Sequence, residues 1–195
     1  MRVGIDIDGV LTDVESYQLD FGSKFYLYKY NKTVINYKGY DTTSIFDATV
    51  KQDNEFWFEN IREYVKEPAR KYSGEVIQKL KDEGNEIYII TARSNNLSYT
   101  DMTTEEMRNI VREWLSEYGI HYDKLIFSPE DKVDICLSNN VDLMIEDKPE
   151  NIMNISKYIP VICYNSGYNE HCYGDNITRC YSWYDIYTKI GNKNK

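Results

Sequence analysis

Short apolar runs recur along the chain at residues 2–7, 86–91, 124–127, 141–145 and 160–163, and helical periodicity fills most of the intervals between them. Such short runs suit strands, and strands that alternate with helices pair in parallel, because a parallel connection needs a crossover of a dozen residues or more. The pattern therefore predicts an α/β fold around a mainly parallel sheet. The clearest helix is expected over 105–118, where Met107, Ile110, Val111, Trp114, Leu115 and Tyr118 repeat at i, i+3, i+4 and i+7. Thr103 and Glu106 have capping-box spacing at its start, and Gly119 stands where a C-terminal cap belongs. A second helix is expected over 69–83, with Val76, Ile77 and Leu80 on one face and Gly84 as its stop.

Residues 13–68 break the alternation and form too long a stretch for an ordinary loop. Val14, Tyr17, Phe21, Phe25 and Tyr28 fit one helical face, and Asp53 could cap a helix bearing Trp57, Ile61 and Tyr64. The expected organisation is a core of residues 1–12 and 69–190, a small helical cap over 13–68 above the end of the first strand, and a frayed tail at 191–195. At 195 residues the chain suits one domain with such an insertion. Its net charge of −9 argues against general affinity for a nucleic-acid polymer or an anionic membrane. No apolar run approaches the ~18 residues of a membrane helix, and the first strand carries acids where a signal peptide needs an apolar core. The expected location is the cytoplasm.

Chemistry concentrates where the apolar runs end. The first run leads into Asp6-Ile7-Asp8-Gly9, where two carboxylates at i and i+2 share one face and Gly9 lets the chain turn so that Asp8 arches back. A cation or a retained proton would relieve their repulsion. A calcium loop is disfavoured, since its fifth and twelfth positions would be Val10 and Tyr17. The second run ends in Thr91-Ala92-Arg93, where a hydroxyl beside main-chain N–H groups can hold a phosphate oxygen or can simply make a turn. Ser128-Pro129 has the form of an N-cap and a first helical residue, which puts Lys132 in the first turn, pointing at solvent or at an anion. Residues 141–145 lead into Glu146-Asp147, acids that could equally cap the helix begun by Pro149. Taken together, these strand ends present an acid pair, a hydroxyl and a second acid pair beside one lysine. One magnesium ion and one phosphate would reconcile the charges.

Asp6-Ile7-Asp8-Gly9-Val10-Leu11-Thr12-Asp13, Thr91, Lys132 and Glu146-Asp147 stand in the order of the four motifs of the haloacid dehalogenase (HAD) superfamily of phosphotransferases, which the chain resembles over most of its length. The resemblance implies a Rossmann-like three-layer sandwich, magnesium dependence and an aspartyl-phosphate intermediate. It casts Asp6 as nucleophile and Asp8 as general acid and base, with Thr91, Ala92 and Lys132 holding the phosphoryl group. The metal would be bound by Asp6, the Asp8 main-chain carbonyl and Asp147, with Glu146 behind or in place of Asp147. The family more often has two aspartates at that last position. The second aspartate, Asp8, argues against a dehalogenase.

The position of the insertion also resembles that of the 5′(3′)-deoxyribonucleotidases and their bacterial relatives, whose cap supplies aromatic side chains that stack on a base. Phe21, Phe25, Tyr26, Tyr28, Tyr30, Phe46, Trp57 and Phe58 are the candidates, and aromatics at helical spacing also serve as a cap's own core. The expected partner is a small phosphorylated metabolite, a nucleoside monophosphate first and a sugar phosphate as the alternative. A phosphate-accepting signalling domain is disfavoured, because the strand bearing Thr91 has no phosphorylatable aspartate. The cysteines at 136, 163, 172 and 180 lack metal-ligand spacing, so buried thiols are expected, and His171 suits a turn.

Overall fold

A computed structural model describes residues 1–95 and 97–191. The tail expected to fray therefore lies outside the described residues except for Gly191, which closes the last helix. Six strands, β1 (Arg2–Ile5), β2 (Glu86–Thr91), β3 (Lys124–Phe127), β4 (Leu143–Glu146), β5 (Val161–Tyr164) and β6 (Ile177–Cys180), form one sheet in the order β3-β2-β1-β4-β5-β6. Every pairing is parallel. The strand order reverses between β1 and β4, and in sheets of this kind the crevice beyond the strand ends at that point is where ligands bind.

Side chains alternate across the sheet and fill both faces, which is why the runs read as continuously apolar. On one face, Val3, Ile5, Ile87, Ile89, Leu143 and Ile145 share a core with Val76, Ile77 and Leu80 of α4 (Ser73–Asp82), Val111 and Leu115 of α5 (Thr104–Glu117), and Trp183 and Ile186 of α8 (Trp183–Gly191). On the other, Tyr88, Ile90, Met144, Val161 and Cys163 pack on Cys136 of α6 (Val133–Ser138) and on Ile152 and Ile155 of α7 (Pro149–Ile155). This is the expected Rossmann-like sandwich. All four cysteines are buried free thiols, and His171 is exposed.

Element ends differ from expectation for local reasons. β1 stops at Ile5, although Asp6 N–H still donates to Ile145 O at 3.1 Å. α4 begins at Ser73 because Arg70 is engaged elsewhere, its N–H donating to Leu11 O and its guanidinium reaching Asp13, Thr12 O and Gly9 O. Thr103 caps α5 as expected, but Glu106 pairs with Arg62 instead of closing the box. α6 starts at Val133, so Ser128 and Pro129 belong to a loop, and Lys132 precedes the helix. β6 was not evident in the sequence: it is an edge strand whose Thr178 and Arg179 dilute the apolar pattern.

Between β1 and α4 lie α1 (Val14–Tyr30), α2 (Thr42–Phe46) and α3 (Val50–Tyr64). The buried face of α1 is Val14, Tyr17, Gln18, Gly22 and Tyr26, so the stripe is rotated from the expected one. Phe21 is partly exposed and Tyr28 is 83% exposed. The cause is Gly22, which lets Phe46 approach so closely that a Cβ there would lie 2.6 Å from its ring. Tyr26 then stacks on Phe46 at 4.6 Å and hydrogen-bonds Thr42 Oγ1 at 2.6 Å. Thr49, not Asp53, caps α3, and Asp53 instead accepts from Thr42 Oγ1. Phe56 centres this aromatic layer, fully buried against Phe25, Tyr26 and Trp57. Phe56→Ala should lower unfolding free energy by about 3–5 kcal/mol in urea titration, the range for removing a fully buried aromatic.

Candidate active site

The C-terminal ends of β1 and β4 are adjacent, and each releases acids into the crevice between them. Asp6 follows β1; Glu146 ends β4 and Asp147 follows it. One carboxylate oxygen from each of the three lies within 4.8 Å of the others, and all three residues are buried. Lys132, 2% exposed, enters from the start of α6 with its Nζ 2.8 Å from Asp6 Oδ1 and 3.2 Å from Glu146 Oε2. Of the two placements open to that lysine, the structure takes the buried one. Burial alone would favour neutral lysine, but Asp6 and Glu146 outweigh it and hold its pKa above the usual value.

Each acid is held differently. Asp6 Oδ1 accepts from Lys132 and from Ile7 N–H at 2.7 Å. Its pKa lies well above the ordinary carboxylate value, through burial first and then the nearby Glu146 charge. Both Glu146 oxygens have donors: Lys132, and Asn151 Nδ2 at 2.9 Å. Asp147 accepts from the Tyr168 hydroxyl through Oδ2, and its pKa is pushed up to about 7 by burial and then by Asp6. Three buried carboxylates thus face one ammonium group. An all-oxygen set short of positive charge fits a hard divalent cation such as magnesium, with Asp6 and Asp147 better placed to bind it than the doubly engaged Glu146.

Gly9 has φ +79°, and a Cβ on it would collide with the Asp147 carboxylate. The turn thus needs glycine both for its backbone conformation and for space, and it carries Asp8 to the wall of the same cavity as Asp6. That cavity, of about 280 Å³, is lined by Asp6, Asp8, Ala92, Lys132 and Asp147 together with residues of the inserted helices. Thr91 and Glu146 lie behind the wall, fully buried; Thr91 Oγ1 accepts from Arg93 N–H at 3.2 Å and retains its own O–H to donate.

Of the eight aromatics expected to serve a flat ligand, Trp57 lines this cavity. Tyr26 and Phe46 are core, Phe58 and Tyr28 are exposed, and Phe21, Phe25 and Tyr28 line a separate open groove on α1 and α3. The cavity's other aromatics are Tyr40, Tyr64 and Tyr99. None was singled out as a ring for the pocket, because Tyr40 and Tyr99 fall in loops without periodicity and Tyr64 read as part of a helix face. Tyr168 comes from the polar loop 164–171, a stretch that suits either plain turn chemistry or a border of the site. It reaches Asp147 because the short turn Gly167–Asn169 is tied down by Asn169 Nδ2, which donates to Asp147 O and to Tyr164 O at 2.8 Å.

The family model described as 5′ nucleotidase, deoxy (pyrimidine), cytosolic type C protein matches residues 1–195. The Bacillus subtilis protein YqfW, whose name proposes a nucleotidase, is 32% identical over 98% of this chain and 94% of its own. The nucleotidase CA_C3379 of Clostridium acetobutylicum is 29% identical over 96% and 92%. Among solved structures, the D,D-heptose 1,7-bisphosphate phosphatase of B. bronchiseptica, complexed with magnesium and phosphate, superposes with a TM-score of 0.55 at 13% identity, covering 98% of each chain. At that identity the likeness is one of fold.

The balance of charge around Lys132 can be measured. Lys132→Met leaves Asp6 and Glu146 buried without their cation and should lower unfolding free energy by about 3–5 kcal/mol in chelator. Adding Glu146→Gln should restore part of that loss in the same urea titration.

Proposed function

The chain belongs to the 5′ nucleotidase, deoxy (pyrimidine), cytosolic type C family of HAD-type phosphatases, and from that membership we propose that it hydrolyses deoxyribonucleoside monophosphates through an aspartyl-phosphate on Asp6. The observation that carries this reading is the meeting of Asp6, Lys132 and Asp147 beyond β1 and β4, with Asp8 on the same cavity wall. The magnesium ion would be held by the Asp6 and Asp147 carboxylates and the Asp8 main-chain carbonyl, with Glu146 behind them, and when bound it supplies positive charge to the phosphoryl oxygens.

In the first step an Asp6 oxygen bonds to phosphorus as the bond to the ester oxygen breaks, and Asp8 gives its proton to that departing oxygen. The products are the alcohol, the Asp8 carboxylate and phosphorylated Asp6. In the second step a water oxygen bonds to phosphorus, the bond to Asp6 breaks, and the water's proton passes to Asp8. Throughout, Lys132 and the Ala92 main-chain N–H hold the phosphoryl oxygens, with the buried Thr91 hydroxyl behind them as a further donor, so charge developing on the oxygens meets donors already in place. Glu146 keeps the Lys132 ammonium directed at Asp6.

A small phosphorylated metabolite suits a cavity of about 280 Å³, and the aromatic walls at Tyr40, Trp57, Tyr64 and Tyr99 suit a flat base. Neither a nucleic-acid polymer nor a membrane belongs to this reading: the net charge is −9, and no helix among the described residues is long and apolar enough to cross a membrane. The four free thiols accord with a cytoplasmic setting.

Release of inorganic phosphate from a panel of deoxyribonucleotides, ribonucleotides and sugar phosphates tests the assignment. Deoxyribonucleoside monophosphates should be hydrolysed fastest; a sugar phosphate hydrolysed faster would shift the substrate class without changing the chemistry. Chelation should stop turnover and added magnesium should restore it. Asp6→Asn should abolish turnover while circular dichroism shows the fold retained, and unchanged activity in that variant would sink the assignment.

A further inference from the structure

Asp8 is held on one side only. Arg93 Nε and Nη2 both lie 2.9 Å from Asp8 Oδ1, and the Tyr64 hydroxyl donates to the same oxygen at 2.5 Å. Among the described residues no donor reaches Asp8 Oδ2, and the Asp8 side chain is 34% exposed on the cavity wall. The two donors come from different parts of the chain. Arg93 follows the end of β2, whereas Tyr64 is the last residue of α3 in the insertion.

Both are themselves fixed. The Arg93 side chain is 4% exposed and its guanidinium lies 5.2 Å from the Tyr64 ring and 5.6 Å from that of Trp114. Thr12 Oγ1 lies 3.4 Å from Arg93 Nη2 and 3.2 Å from the Tyr64 hydroxyl, closing a buried ring of polar contacts around Asp8 Oδ1. Arg93 Nη1 is buried without a hydrogen-bond partner, so the side chain is not placed to satisfy all of its own donors. It is placed by its contacts with Asp8, Thr12 and the two rings.

We propose that Arg93 and Tyr64 are positioning residues for proton transfer: they clamp Asp8 through Oδ1 so that Oδ2 carries the proton and faces the leaving-group oxygen. The inference rests on the reading of Asp8 as general acid and base. Two hydrogen bonds and the ion-pair contact of Nη2 on one oxygen leave the carboxyl group little rotational freedom, and they remain in place whether or not Oδ2 holds a proton. They also stabilise the carboxylate that remains when the proton departs. Because Tyr64 belongs to the insertion and Arg93 to the core, the complete clamp draws on both.

Leaving-group dependence of kcat/KM tests the clamp, since this parameter reports steps through the first phosphoryl transfer. An alkyl ester needs the proton; p-nitrophenyl phosphate, whose phenolate departs unaided, does not. For wild type, Asp8→Asn, Tyr64→Phe and Arg93→Lys, the ratio of kcat/KM for the fastest alkyl monoester of the panel to that for p-nitrophenyl phosphate would be compared. Asp8→Asn should lower the ratio about a hundredfold or more, and Tyr64→Phe and Arg93→Lys each about tenfold, as partial losses of general acid catalysis. Lysine retains the charge but not the guanidinium fork, so it should not rescue. A ratio unchanged in both clamp variants, while Asp8→Asn lowers it, would overturn the clamp alone, because a purely structural loss slows both esters alike. If Asp8→Asn leaves the ratio unchanged, the reading of Asp8 itself fails. Thermal melts of Tyr64→Phe, which keeps the ring, identify any loss of fold.

Discussion

The site depends on one buried ammonium group. Lys132 joins Asp6 to Glu146 at the point where the strand order reverses, and it is almost wholly buried where it borders the cavity. Burying a charge is costly unless it is paired and hydrogen-bonded, and here the pairing comes from two strands that touch only because the sheet is parallel and ordered as it is. Glu146 is oriented by Asn151 from α7, Asp147 by Tyr168 from the turn after β5, and Gly9 leaves the space that the Asp147 carboxylate needs. The surplus of negative charge left after Lys132 is counted makes the cluster suited to a divalent cation and a phosphoryl group.

The inserted helices form a separate physical problem solved by aromatic packing. Tyr26, Phe46 and Phe56 form their interior, and the close approach at Gly22 turns α1 so that Gln18 and Val14 face the cavity while Tyr28 faces away. The insertion is joined to the core at both of its ends by Arg70, which reaches Asp13 and the carbonyls of Gly9 and Thr12 beside the exit strand. Tyr64 then extends from the insertion to Asp8, so packing among the helices sets where that hydroxyl meets the carboxylate.

How much was legible in the sequence varied with the range of the interaction involved. Asp6, Asp8, Lys132 and the Glu146-Asp147 pair could be singled out because each stands where an apolar pattern ends, a local property of the chain. The Thr103 cap and the end of α5 near Gly119 were legible for the same reason. The roles of Tyr64, Arg93, Tyr168 and Asn151 were not, since each acts through a partner 5 to 85 positions away that no local pattern identifies. The aromatic stripe of α1 misled because rings occur on several sides of that helix, and nothing in their spacing reveals that Phe46 will press against Gly22.

By itself, the sequence determined the alternation of buried strands and helices, the parallel sheet that such alternation requires, and the acids and lysine stationed at strand ends. These follow from short-range physics: the pleat's two-residue period, the helix's 3.6-residue period and the backbone freedom of glycine. Tertiary structure alone decided that Lys132 turns inward, that Glu146 uses both oxygens on the lysine and Asn151, and which rings border the cavity. Those outcomes depend on which distant side chains share a dehydrated space, and there a charge or a hydroxyl must take whatever partner the packing brings within reach.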